Sequence, residues 1–136
     1  MMRSMNLARV AQELGIEFDG AARPIAGVAI DSRKVNQGDL FVALPVARVD
    51  GHDYVERAAE QGAFAAIVER PIEASIPCFL VDDSLTAMSD IARANRADFS
   101  GTVVAMTGSC GKTTVKNICH SIFRLADSTV ATEGNY

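Results

Sequence analysis

The chain has 136 residues, 49% of them hydrophobic and 22% charged, with a net charge of −4. That length suits one ordinary domain, or a small domain followed by part of another. The composition argues against disorder, and thirteen Lys plus Arg against seventeen Asp plus Glu leave no basic field for general nucleic-acid binding.

Leu7, Val10, Ala11 and Leu14 fall on one face of a helix, which Gly15 ends. IAGVAI, residues 25–30, predicts a strand that runs into the turn Asp31-Ser32-Arg33. A Gly-Asp turn at 38–39 leads to a short buried strand, Leu40-Phe41-Val42-Ala43-Leu44. Asp50-Gly51-His52 is a turn signal, and Tyr54, Val55, Ala58 and Ala59 after it mark a short helix closed by Gly62. AFAAIV (63–68) and CFLV (78–81) predict two more strands, separated by a loop with Pro71 and Pro77. Leu85, Met88, Ile91 and Ala92 predict a further helix with Ser84 as its N-cap.

Asp98-Phe99-Ser100-Gly101 reads as a hinge. Beyond it, Thr102 to Met106 predicts a strand, Thr107 to Thr114 a small-residue loop, and Val115, Ile118, Cys119, Ile122 and Ala126 a helical stripe; Ser128 to Ala131 begins another strand. Strand, helix and strand resemble the opening of a parallel sheet. The 37 residues from 100 to 136 are fewer than the roughly 40 with which a domain usually folds unaided, and a parallel sheet needs cover on both faces. The expected organisation is a domain over 1–98 and a truncated second one over 99–136.

No apolar run approaches the roughly 18–20 residues that span a bilayer, and the N-terminus lacks a continuous signal-peptide core. A cytoplasmic chain is expected. Cys78, Cys110 and Cys119 are odd in number and form no CxxC pair, which disfavours a disulfide framework or a structural zinc site.

The strongest chemical signal is Thr107-Gly108-Ser109-Cys110-Gly111-Lys112-Thr113-Thr114, between a predicted strand and a predicted helix. Glycines let backbone N–H groups close on a phosphate, and the helix N-terminus adds its dipole. Lys112 can reach the β- and γ-phosphates of a nucleoside triphosphate, and the Thr113 hydroxyl can coordinate Mg²⁺. Met106 stands where the strict GxxxxGK[ST] pattern has its first glycine, so the spacing here is GxxGKT. Other residues read more simply. Cys110 is a small loop residue, Cys119 and Cys78 are core, and His120 and Lys116 belong to a solvated helix face. His52 satisfies a turn, and Asp82-Asp83 end a strand and lead into a helix cap.

Three segments together resemble the ATP-dependent Mur ligases of peptidoglycan synthesis. They are Asp31-Ser32-Arg33-Lys34-Val35 with Gly38 to Leu44, Asp50-Gly51-His52-Asp53-Tyr54, and Thr107 to Lys116; Thr132-Glu133-Gly134-Asn135 looks like the family's next loop. Ser109 and Val115-Lys116 look most like the branch that adds D-alanyl-D-alanine. The sister branch that adds the third peptide residue is the alternative, and a non-catalytic nucleotide-binding module is a third reading.

The resemblance implies an α/β fold. A small N-terminal domain would hold the UDP end of a UDP-N-acetylmuramoyl-tripeptide, followed by the first strand–loop–helix–strand of a P-loop ATPase domain. Its cofactors would be ATP and Mg²⁺. Thr107, Gly108, Ser109, Cys110, Gly111, Lys112, Thr113 and Thr114 would bind ATP, with Lys112 and Thr113 catalytic and Thr113 near the metal. Ser32, Arg33, Arg48, Val49, Asp50, Gly51 and His52 would line the uridine site, and Asn135 would approach the diphosphate. The family often carries a glycine where this chain reads Pro45-Val46-Ala47, which leaves the shape of the uridine loop open. The full-length enzyme is expected to be monomeric, and the chain alone to be inactive, with exposed apolar faces on 100–136 that favour self-association.

Overall fold

A computed structural model describes residues 5–46 and 49–132, with Val46 and Val49 in backbone only. The chain divides into two compact units between Ser100 and Gly101.

The first unit is a four-stranded parallel sheet covered on both faces. Its strands are β1 (Val28–Ala29), β2 (Leu40–Val42), β5 (Ala65–Val68) and β6 (Cys78–Leu80), hydrogen-bonded in that order. Val28 pairs with Leu40, Leu40 with Ala65 and Ala66 with Cys78. Between β2 and β5 lie a small antiparallel ribbon, β3 (Pro45–Val46) with β4 (Val49–Asp50), and helix α2 (Val55–Glu60). Helices α1 (Leu7–Glu13) and α3 (Ser84–Ala97) complete the unit.

Alternation along the strands explains the two-sided cover. Leu40, Val42, Ala65 and Ile67 pack with Leu7, Val10 and Ala11 of α1 and Ala87 and Ile91 of α3. Phe41, Ala43, Ala66 and Val68 pack on the other face with Val55 and Ala58 of α2. The strands are therefore apolar throughout, and nearly all of β2 and β5 is buried.

The strands are shorter than the apolar runs. The 25–30 segment contributes only Val28–Ala29, because Ile25 donates its N–H to the Met5 carbonyl and pairs with the N-terminal segment. The 40–44 run leaves the sheet after Val42, where Gly51 donates to the Leu44 carbonyl and draws the chain into the ribbon. Gly15 and Gly62 follow the C-caps of α1 and α2 with positive φ, as helix stops require.

Helix α3 departs from expectation in two ways. Asp83, not Ser84, is its N-cap, accepting the Thr86 N–H at 2.5 Å. Asp83 thereby takes the capping role read for the Asp82-Asp83 pair. The buried stripe is Ser84, Ala87 and Ile91, while Leu85 is exposed. Ile91 of the predicted stripe is in the core and Met88 packs against it, so the face is rotated toward Ser84 and Ala87 at the helix start rather than reversed.

The described part of the second unit contains one helix, α4 (Lys112–Phe123), with no buried residue. The predicted strands at 102–106 and 128–131 are extended without a ladder among the described residues. A parallel strand exists only through its neighbours, and the described part of this unit supplies none. Val103, Val104, Val115, Ile118 and Ile122 are exposed, which matches the apolar faces expected here. Cys119 is consequently half-buried and not core. His120 is also half-buried, its Nε2 3.3 Å from the Thr129 carbonyl. Lys116 donates to the Thr132 carbonyl, so it ties the helix to the following segment and is not simply solvated. No helix among the described residues is long and apolar enough to cross a membrane.

Candidate functional site

Parallel pairing places the C-terminal ends of all four strands on one edge of the sheet, and open parallel sheets bind ligands outside that edge. Four segments emerge there: Asp31–Arg33 after β1, the ribbon and Asp50-Gly51-His52 after β2, Glu69-Arg70 after β5, and Asp82–Ser84 after β6.

After β1, the Asp31 carboxylate organises its own turn. Its Oδ1 accepts the Arg33 N–H at 3.0 Å and Nε–H at 2.9 Å, and its Oδ2 accepts Nη2–H at 2.8 Å. These bonds from Arg33 hold the Asp31 carboxyl far below its ordinary value, since donors favour the charged form. Ser32 is buried, whereas the Arg33 guanidinium faces solvent in a geometry fixed by Asp31. The two predicted uridine residues thus point to different environments.

After β2, Val46 has the extended backbone of a strand, paired with Val49. A β-branched residue suits that conformation, so no glycine is needed at this point of the ribbon. Gly51 is required for a different reason. A Cβ there would lie 2.7 Å from Leu44 N and 2.9 Å from Leu44 O, both main-chain atoms that cannot rotate aside. Arg48 and Asn135 of the expected site lie outside the described residues, as does the Val49 side chain.

His52 is buried and fully engaged. Its Nε2 accepts the Glu69 N–H at 2.8 Å, and its Nδ1 is 2.6 Å from Asp50 Oδ1. A backbone N–H can only donate, so Nε2 must be the lone-pair nitrogen and Nδ1 carries the proton toward Asp50. The same Asp50 oxygen accepts the His52 N–H at 3.0 Å, and these His52 bonds lower the Asp50 carboxyl below its ordinary value. Both ring nitrogens are therefore engaged within the protein, which matches the turn-satisfying role read for His52. Arg70 closes the network, donating to Asp50 Oδ2 at 2.8 Å and Asp53 Oδ1 at 3.1 Å. Sequence reasoning missed Glu69 and Arg70, because they meet the Asp50 turn across 17 to 20 residues of chain.

In the second unit, Ser109, Cys110, Gly111, Lys112, Thr113 and Thr114 line an open pocket of about 260 Å³. Gly111 has φ +76 and caps α4 without any side-chain hydrogen bond. The first intrahelical bond runs from the Val115 N–H to the Gly111 carbonyl, so the first-turn N–H groups of α4 face the loop. Asn6 and Asp83 cap α1 and α3, whereas α2, like α4, starts without a side-chain cap. Lys112 Nζ crosses the loop and donates to the Gly108 carbonyl at 2.6 Å. Cys110 is exposed. A helix dipole, a glycine N-cap without a side-chain hydrogen bond and one lysine in a concave loop suit a phosphate group. Among the described residues, no group of three or more His, Cys, Asp or Glu is placed to hold a metal ion.

These features define an α/β protein with a parallel sheet and a glycine–lysine phosphate-type loop. Residues 24–97 match the Mur ligase family, catalytic domain, and the chain belongs to that family. It is 37% identical over 134 residues to the UDP-N-acetylmuramoyl-tripeptide–D-alanyl-D-alanine ligase of Escherichia coli (strain K12), covering 98% of this chain and 30% of that enzyme. It is 39% identical over 107 residues to the UDP-N-acetylmuramoyl-L-alanyl-D-glutamate–2,6-diaminopimelate ligase of Geobacillus kaustophilus (strain HTA426), covering 77% of this chain and 22% of that enzyme. The crystal structure of MurF ligase from Thermotoga maritima in complex with ADP superposes with a TM-score of 0.65 at 42% identity, covering 79% of this chain and 25% of that one. The chain therefore spans less than a third of the length of these relatives.

Proposed function

We propose that this chain is the N-terminal part of a cytoplasmic, ATP-dependent ligase that adds D-alanyl-D-alanine to UDP-N-acetylmuramoyl-tripeptide in peptidoglycan synthesis. Residues 1–98 hold the UDP end of the nucleotide-peptide, and residues 99–136 open the ATP-binding domain. The observation that carries the reading is the uncapped start of α4 at a left-handed Gly111, with Lys112 folded over the loop. The D-alanyl-D-alanine branch is favoured by the match to the Escherichia coli relative along 98% of the chain, against 77% for the diaminopimelate-adding one.

A carboxylate is a poor acylating agent. Transfer of the γ-phosphoryl group of ATP to the tripeptide's terminal carboxylate converts one oxygen into a leaving group. The amine of D-alanyl-D-alanine then attacks the carbonyl carbon and loses a proton; phosphate departs and an amide remains. In that sequence the Lys112 ammonium exchanges the Gly108 carbonyl for β- and γ-phosphate oxygens, and the first-turn N–H groups of α4 hold the same charge. Mg²⁺ bound beside the Thr113 hydroxyl would supply further neutralisation of the phosphates. Arg33, held by Asp31, and the main chain of residues 49–52 face the UDP end, while His52 keeps that main chain in place.

Calorimetric titration of the chain with UDP and, separately, with Mg-ATP tests the reading. Expected are UDP binding unaffected by Lys112→Ala, and Mg-ATP binding abolished by it. A folded chain that shows no UDP binding at millimolar concentration would remove the main support for the N-terminal assignment.

A further inference from the structure

The C-terminal end of β5 carries a residue that bonds in two directions. Glu69 gives its N–H to His52 Nε2 at 2.8 Å, and its carboxylate Oε1 accepts the Ser84 N–H, also at 2.8 Å. His52 in turn is locked to Asp50, and Gly51 between them donates to Leu44. One continuous set of hydrogen bonds therefore runs from the ribbon through His52 and Glu69 to the first residue of α3. Ser84 itself is completely buried, so this end of α3 is a fixed point against which the ribbon is braced.

We propose that Glu69 is a positioning residue for the uridine-nucleotide site: its carboxylate anchors the end of β5 to α3, and its N–H thereby holds His52 and the Asp50-Gly51 main chain in binding geometry. This rests on the reading of residues 31–52 as that site. Glu69 touches no ligand in this role, and it acts through His52. The physical reason is entropic. A ribbon of two-residue strands has too few ladder bonds to fix its own position, and a loop already held in its bound geometry binds without the cost of ordering it.

The test compares three variants of the 136-residue chain, each well below its melting midpoint. Glu69→Ala removes the acceptor and is expected to weaken UDP binding about fivefold, the equivalent of one ordinary hydrogen bond. Glu69→Gln keeps an acceptor oxygen and is expected to bind as the parent does. Asp83→Ala removes the other cap of the same helix, and is expected to lower the melting temperature while leaving UDP affinity unchanged. Parent-like affinity in Glu69→Ala, failure of Glu69→Gln to restore it, or equal weakening by Asp83→Ala would each overturn the proposal. Should Glu69→Ala not fold, Glu69→Asp replaces it, drawing the acceptor back by one methylene.

Amide hydrogen exchange gives a readout that needs no ligand. Glu69→Ala is expected to speed exchange at the amides of Gly51 and Glu69, and unchanged exchange there overturns the coupling. A parent chain that ignores UDP would sink the uridine reading, and the exchange result would still decide whether Glu69 braces the ribbon.

Discussion

The His52 imidazole accepts the backbone N–H of Glu69 at 2.8 Å, joining a turn after β2 to the end of β5 across 17 residues of chain. The ring is a structural acceptor first. His52→Ala leaves that N–H without a partner in a part-buried place and empties the space of the ring. The unfolding free energy is expected to fall by about 2 kcal/mol, read from urea denaturation. Unchanged stability would show that the Glu69 bond contributes nothing.

Gly51 is constrained by space. The Cβ of Gly51→Ala would meet Leu44 N at 2.7 Å, Leu44 O at 2.9 Å and Ala43 Cα at 3.0 Å. Because all three are backbone, the ribbon itself must shift, at a cost of about 1–3 kcal/mol. A lowered melting temperature and loss of UDP binding are expected together.

Gly111 is constrained by conformation alone. Its φ is +76 and nothing lies within 4 Å of a Cβ built there. Gly111→Ala therefore meets only the intrinsic penalty of the left-handed region, about 1–2 kcal/mol. Mg-ATP affinity should drop while the melting of the first unit, followed by circular dichroism, stays at the parent value. A matching loss of UDP affinity would contradict this.

Asp31 through Arg33, Asp50 through His52, Asp83 through Thr86 and Glu56 through the Ser75 N–H have carboxyl groups below their ordinary values of 3.8 for Asp and 4.5 for Glu. A depressed folded-state value contributes stability that is fully present above the unfolded value. That stability is lost as the pH falls through the folded one. The melting temperature should be level from neutral pH to about 5 and fall steeply below about 4. Asp50→Asn should shallow that fall; an identical acid limb in the variant would exclude Asp50 as a contributor.

Ser84 Oγ is buried without a hydrogen-bond partner among the described residues. Removing an unsatisfied hydroxyl relieves its desolvation cost, so Ser84→Ala is expected to raise stability by about 1 kcal/mol. Its backbone N–H, which Glu69 accepts, is untouched by the change. Destabilisation in urea would mean the hydroxyl has a partner after all.

The apolar runs at 40–44 and 63–68 and the glycines after α1 and α2 were legible because strand burial and helix stops are local properties of composition. The loop that leads into α4 was legible for the same reason: its glycines, its lysine and the helix that follows are contiguous. Leu85 does not join the face of α3 that hydropathy assigns it to, since Ser84 and not Leu85 is buried at the helix start. The strands expected at 102–106 and 128–131 have no ladder among the described residues, because pairing is a property of neighbours and not of a segment's own sequence.

The sequence by itself determined an α/β chain whose buried strands, turns and glycine–lysine loop follow from short-range chemistry. Only the tertiary structure decided what His52 does. Its two nitrogens acquire their partners from Asp50, two residues away, and from Glu69, seventeen residues away. Parallel pairing of β2 with β5 brings the second of these within hydrogen-bond distance. No local pattern encodes that approach, because a hydrogen bond depends on where two chain segments meet in space.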